Sequence, residues 1–166
     1  QPDAGSSTGQ HSPGVGGGTT NLGDHTSHSN IAYTAISSTY AGGSLSGNIY
    51  LDCDVTLTSS IIVDSGKTLN LCLNGHKLNA NNGAFSVITN NGTLNICDCN
   101  ENQQNSVDTY NWDTTTGAWQ QSDSITVNGG VITGGNVPAG GSTVGGGGIC
   151  NLGTLCMYGG TIAGNR

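Results

Sequence analysis

Ten acidic residues, four histidines and six cysteines carry what reactive chemistry this 166-residue chain has. Acid–base hydrolysis needs two carboxylates held together, and nucleophilic catalysis needs a nucleophile, a base and a group that orients the base. Neither set is visible. Asp52, Asp54, Asp64, Asp98, Asp108, Asp113 and Asp123 are scattered, and Glu101 is the one glutamate. Asp52 and Asp54 flank Cys53, so on a strand they share a face and could hold Ca²⁺ with backbone oxygens. Calcium takes six or more oxygens, so solvated side chains on an outer face are the simpler reading. Cys97 and Cys99 have one residue between them, where structural zinc sites use two to four, and His76 after Cys72 has no second pair to match it. His11, His25 and His28 fall in or beside a low-complexity stretch. The expectation is no cofactor, with Ca²⁺ at Asp52 and Asp54 as the alternative.

The cysteines suggest a structural use. Cys72 and Cys97 end two copies of one phrase, Gly66-Lys67-Thr68-Leu69-Asn70-Leu71-Cys72 and Gly92-Thr93-Leu94-Asn95-Ile96-Cys97, and a third copy runs Gly153-Thr154-Leu155-Cys156-Met157. If successive copies stack as neighbouring strands about 4.8 Å apart, Cys72 and Cys97 fall within disulfide range. A Cys72–Cys97 bond would contribute about 3 kcal/mol; the alternative is a buried cysteine ladder with no bond. Cys53–Cys99 and Cys150–Cys156 are the remaining pairs, among 15 possible connectivities. An even cysteine count in a chain poor in lysine favours an oxidising compartment.

The aromatic residues suggest recognition. Between Cys99 and Ser124 the repeat is interrupted, and this insertion holds Tyr110, Trp112 and Trp119, both tryptophans of the chain among them. Exposed aromatic rings stack on sugar faces or anchor a partner protein. The competing reading is that the rings fold back onto the body or pair across a hairpin. Gly145-Gly146-Gly147-Gly148 lacks the Lys-Ser/Thr of a phosphate loop.

What must position these residues is a set of short strands. Hydrophobic residues are 33% of the chain and charged residues 8%, while glycine alone accounts for 29 positions. That mix suits short strands joined by tight turns. Ile49–Leu57 alternates apolar and polar residues, Ile61–Val63 is a second apolar run, and Leu69, Leu71 and Leu73 face one way in a third. Phe85–Ile88 and Leu94–Ile96 repeat the last two. Gly129–Asn136 resembles Gly159–Asn165 thirty residues on. No window has helical periodicity. Residues 1–28 read as a low-complexity tether, residues 29–166 as a parallel β-helix domain, and residues 100–123 as a β-hairpin inserted in it, with Gly117 in its turn. The net charge of −7 with three basic residues excludes a phosphate-binding surface, so no nucleic-acid partner is expected. No apolar run is long enough for a membrane helix, so no membrane insertion is expected.

Leu71-Cys72-Leu73-Asn74-Gly75-His76, Gly92–Cys99 and Met157-Tyr158-Gly159-Gly160-Thr161-Ile162 resemble the repeats of surface proteins of gut-type Firmicutes. The resemblance covers about residues 45–166. It implies an all-β fold, a right-handed parallel β-helix of the pectin-lyase-like type, within a larger extracellular, cell-surface assembly. It further implies a stalk or adhesive module; with the scattered acids and the aromatic insertion, the expectation is a non-catalytic structural or adhesive module that binds a glycan or a host surface protein. Two alternatives stand beside it: a self-assembling filament subunit, and a polysaccharide-active enzyme. Enzymes of that fold cluster carboxylates with Lys or Arg on one strand face, which this chain does not do.

Overall fold

The computed structural model describes residues 33–138 and 145–166; the tether expected at 1–28, with His11, His25 and His28, lies outside them. The described residues are all-β and contain no helix. In chain order the strands are β1 (Thr34–Ile36), β2 (Gly43–Ser44), β3 (Gly47–Leu51), β4 (Val55–Thr56), β5 (Ile61–Val63), β6 (Thr68–Cys72), β7 (Lys77–Asn79), β8 (Ile88–Asn90) and β9 (Thr93–Cys97). A long pair follows, β10 (Gln104–Asp113) and β11 (Ala118–Asn128). The chain closes with β12 (Val131–Thr133), β13 (Ile149–Asn151), β14 (Thr154–Met157) and β15 (Thr161–Ile162).

Apart from β10 and β11, every strand belongs to one of three parallel sheets. The orders are β1-β3-β6-β9-β14, β2-β5-β8-β13 and β4-β7-β12-β15. Within each sheet, spatial order follows chain order. From β4 onward the chain visits the three sheets in rotation, leaving one strand in each before returning to the first.

The repeated phrase sets the register. Thr68, Thr93 and Thr154 are in line, as are Leu69, Leu94 and Leu155, and Cys72 stands beside Cys97. Two features enforce this alignment. Leu69, Leu71, Leu94 and Ile96 point into the core and are fully buried, so a slip of one residue would turn them all out to water. On the opposite face Asn95 donates to Asn70 (2.7 Å) and Asn70 to Asn48 (2.8 Å), an amide ladder that a slip would also break. The glycines that open the second and third copies have a steric reason. A Cβ on Gly92 would lie 2.3 Å from the Lys67 carbonyl oxygen, and one on Gly153 would lie 2.1 Å from that of Gly92. Those turns stack backbone on backbone, closing with Thr93 N–H to Lys67 O and Thr154 N–H to Gly92 O (both 2.9 Å).

One aliphatic core serves all three sheets. Leu51, Val55, Ile61, Val63, Leu71, Leu78, Ile88 and Ile132 belong to a single buried cluster. Most of the short strands supply one to three such side chains, so 33% hydrophobic residues suffice. The expected strand Ile49–Leu57 is two strands, β3 and β4, bent at Asp52–Asp54. The Phe85–Ile88 strand is confined to β8, further along. The inserted hairpin is longer than expected: β11 runs on to Asn128, pairing Gln104 with Asn128.

Candidate functional site

The hairpin is fixed at its root by a buried carboxylate. Asp98, 6% exposed, follows β9 directly. Its Oδ1 accepts from the N–H of Gly75 (2.7 Å) and of Asn100 (3.3 Å), and its Oδ2 from Gly130 N–H (2.6 Å). One side chain thereby ties the turn before β7, the start of the insertion and the start of β12. Asn105 adds a second tie, its Nδ2 donating to the carbonyls of Gly75 and Gly129 (both 2.8 Å). Gly129 has a positive φ of 81°, and a Cβ there would lie 2.2 Å from Asp98 Oδ2. The sequence reading placed Asp98 among scattered acids. Its one signal was position, directly between the repeat and the insertion and opposite the Gly129-Gly130 pair.

From that root β10 rises with Val107 buried beneath it. Strand alternation puts Ser106, Asp108, Tyr110 and Trp112 on one face. A register shift between Thr109 and Tyr110 leaves Ser122 as an extra residue of β11, so Tyr110 pairs with Gln121 and Trp112 with Trp119. At the tip, Asp113 Oδ1 accepts from Thr115 N–H (2.8 Å) and its Oδ2 from the Thr116 hydroxyl (2.8 Å), while Gly117 at φ 64° donates to the Asp113 carbonyl (2.8 Å). The Thr116 hydroxyl and the N–H of Thr115 hold the Asp113 carboxyl below its ordinary range.

Between β10 and the sheet of β7 and β12 lies a cleft of about 280 Å³. Its walls include Lys77, Asn79, Asn81, Asn82, Asp108, Tyr110 and Thr133. Tyr110 donates its hydroxyl hydrogen to Asn82 Oδ1 (3.1 Å), and the Arg166 guanidinium lies 3.8 Å from its ring centroid. Lys77 Nζ donates to Ser106 O (3.1 Å) across the cleft floor. Two of the chain's three basic residues thus converge on the hairpin. Further along the hairpin, Trp112 and Trp119 meet edge to face, with centroids 5.5 Å apart and planes at 73°. They pair across the hairpin and remain exposed, at 47% and 43%.

The structure therefore brings Tyr110, Trp112 and Trp119 onto one hairpin beside a polar cleft. It separates the other candidates. Asp54 Oδ1 accepts from Lys77 N–H (2.9 Å) and lies 3.4 Å from His76 Nδ1, while the Asp52 carboxylate bonds the Cys53 thiol. Among the described residues no three His, Cys, Asp or Glu side chains gather as a metal site.

All six cysteines are thiols. Cys72, Cys97 and Cys99 meet on the outer side of β6 and β9, with Tyr33 and Tyr50 packed on them. Burial, and the neighbouring thiols of Cys97 and Cys99, hold the Cys72 thiol well above its usual pKa, and burial raises the Tyr33 hydroxyl. The other expected pairs are not together. Cys53 has Asp52 and the Ser38 backbone as neighbours, whereas Cys99 has Cys72 and Asn74. Cys150 is on β13 and Cys156 on β14, in different sheets.

Compared with known proteins, the chain matches no protein family, no curated protein and no solved structure.

Proposed function

We propose that the chain is a non-catalytic, extracellular structural and adhesive module of a bacterial surface protein, and that its hairpin and the adjoining cleft bind a glycan. In this reading the three parallel sheets are the sides of a right-handed parallel β-helix of the pectin-lyase-like type. The rotation of strands through the sheets supports the coil, and the strong preference for right-handed crossovers supports its hand. The stack is a rigid support; the hairpin is the part that departs from it.

One observation carries the binding reading. Two tryptophans remain nearly half exposed on the hairpin whose Tyr110, two residues before Trp112, lines a cleft walled also by amides and a carboxylate. Indole faces take the apolar face of a sugar ring, and Asn, Asp and Thr groups take its hydroxyls. The cleft is at the small end of ligand sites, which suits one sugar unit held against the wall with the rest of the chain running over the indoles.

A glycan array followed by titration calorimetry tests this. Trp112→Ala and Trp119→Ala should each weaken binding at least about tenfold, as expected for loss of an aromatic anchor worth about 1.4 kcal/mol or more, with the backbone β-sheet signal in far-ultraviolet circular dichroism retained and the near-ultraviolet indole-pair signal lost. Unaltered affinity in both variants, or binding to a host protein alone, would refute the glycan reading. Turnover of any polysaccharide on the array would refute the non-catalytic one.

A further inference from the structure

We infer that Cys72, Cys97 and Cys99 form a thiol–disulfide site in which Cys99 reacts first, Cys72 resolves, and Cys97 is left as a thiol, giving a Cys72–Cys99 bond in place of the in-register Cys72–Cys97 pair. The Cys72 thiol points at Cys99 Sγ, 3.6 Å away. Cys97, level with Cys72 on the next strand and itself in contact with the Cys72 thiol, donates its own thiol hydrogen to the Leu71 carbonyl oxygen (3.6 Å). Two side chains standing parallel on neighbouring strands are poorly placed for the roughly 90° torsion of a disulfide. Cys99 lies past the end of β9, outside the ladder, and can rotate to close the gap. It is also the accessible member: Cys99 is partly exposed, while Cys72 is fully buried and Cys97 nearly so.

The chemistry is exchange with a small-molecule disulfide. The Cys99 thiol, now donating to Asn74 Oδ1 (3.2 Å), loses its proton and attacks one sulfur of the reagent. The reagent's S–S bond breaks, its first half leaves as a thiolate that takes up a proton, and a mixed disulfide forms on Cys99. The Cys72 thiol then gives up its proton and attacks the Cys99 sulfur, expelling the second half as a thiol. Two protein thiols are oxidised by two electrons, and one reagent disulfide is reduced to two thiols. The high pKa of Cys72 makes this second step slow at neutral pH and faster in mild alkali. The product ties β6 to the residue after Asp98, and so clamps the hairpin root.

Oxidised glutathione on the folded full-length chain tests the assignment. After alkylation and digestion, the expected result is a Cys72–Cys99 cross-linked peptide, with Cys97 alkylated only once the protein is unfolded. The thermal midpoint should rise by about 5–10 °C and return on reduction. Cys97→Ala should keep the cross-link, and Cys99→Ser should abolish both the cross-link and the rise. A Cys72–Cys97 cross-link, a stable glutathione adduct on Cys99 that never resolves, or no modification at saturating reagent would each overturn the proposal.

Discussion

Asp113 shows how one exposed side chain can govern the presentation of two others. Its carboxylate accepts from Thr115 N–H and from the Thr116 hydroxyl, and so shapes the turn that sets Trp119 opposite Trp112. Those donors favour the charged form, so the folded pKa lies below the unfolded value of about 3.9. A depressed carboxylate stabilises the fold fully above the unfolded pKa, and loses that contribution as pH falls through the folded one. The indole-pair signal in near-ultraviolet circular dichroism should therefore be flat from neutral pH to about 5 and decline below about 4. In Asp113→Asn, which cannot ionise, this part of the decline should be missing. An equal acid decline in wild type and variant would show that the turn does not depend on this charge. The aromatic residues were legible because composition singles them out. That they pair and stay exposed was not, because Gly117 marks the turn but not the register that sets Trp112 opposite Trp119.

At the scale of elements, alternation reveals a strand only where one face is buried. β6 and β9 were readable for that reason, each carrying aliphatic residues at every second position, while β5 was readable as a short apolar run. The repeated phrase even foretold the register of β6 on β9. β11 was underestimated because almost all its side chains face water and its one apolar alternation past Gln120, Ile125-Thr126-Val127, is short. The hairpin holds its place through Asp98 and Asn105 at its root, which are polar residues under the insertion. Asp98→Asn tests this. An amide keeps one acceptor oxygen but sets an N–H₂ against a backbone donor, so at least one of Gly75, Asn100 and Gly130 loses its partner. The cost should be about 2–3 kcal/mol in urea denaturation, since a buried donor is left unsatisfied. An effect below about 0.5 kcal/mol would mean that solvent reaches the root and Asp98 does not anchor it.

For the whole molecule, stacking makes stability a matter of neighbours. In each parallel sheet the inner strands pair with the one before and the one after, and the end strands with one neighbour, so a core position is complete only when strands lie on both sides. Leu69, Leu94 and Leu155 occupy one column, and their exposure follows this rule: the first two are fully buried, while Leu155, on the outermost described strand β14, is only partly so. The same holds for Ile132, fully buried, and Ile162 beside it, 39% exposed. Identical substitutions should therefore cost different amounts along one column. Leu94→Ala removes a side chain flanked on both sides and should destabilise by about 3–4 kcal/mol, from lost burial and the cavity left behind. Leu155→Ala removes one flanked on a single side and should cost about 1–2 kcal/mol. Equilibrium urea denaturation of the two variants checks the gradient. Equal losses would mean that strands outside the described residues complete the Leu155 environment.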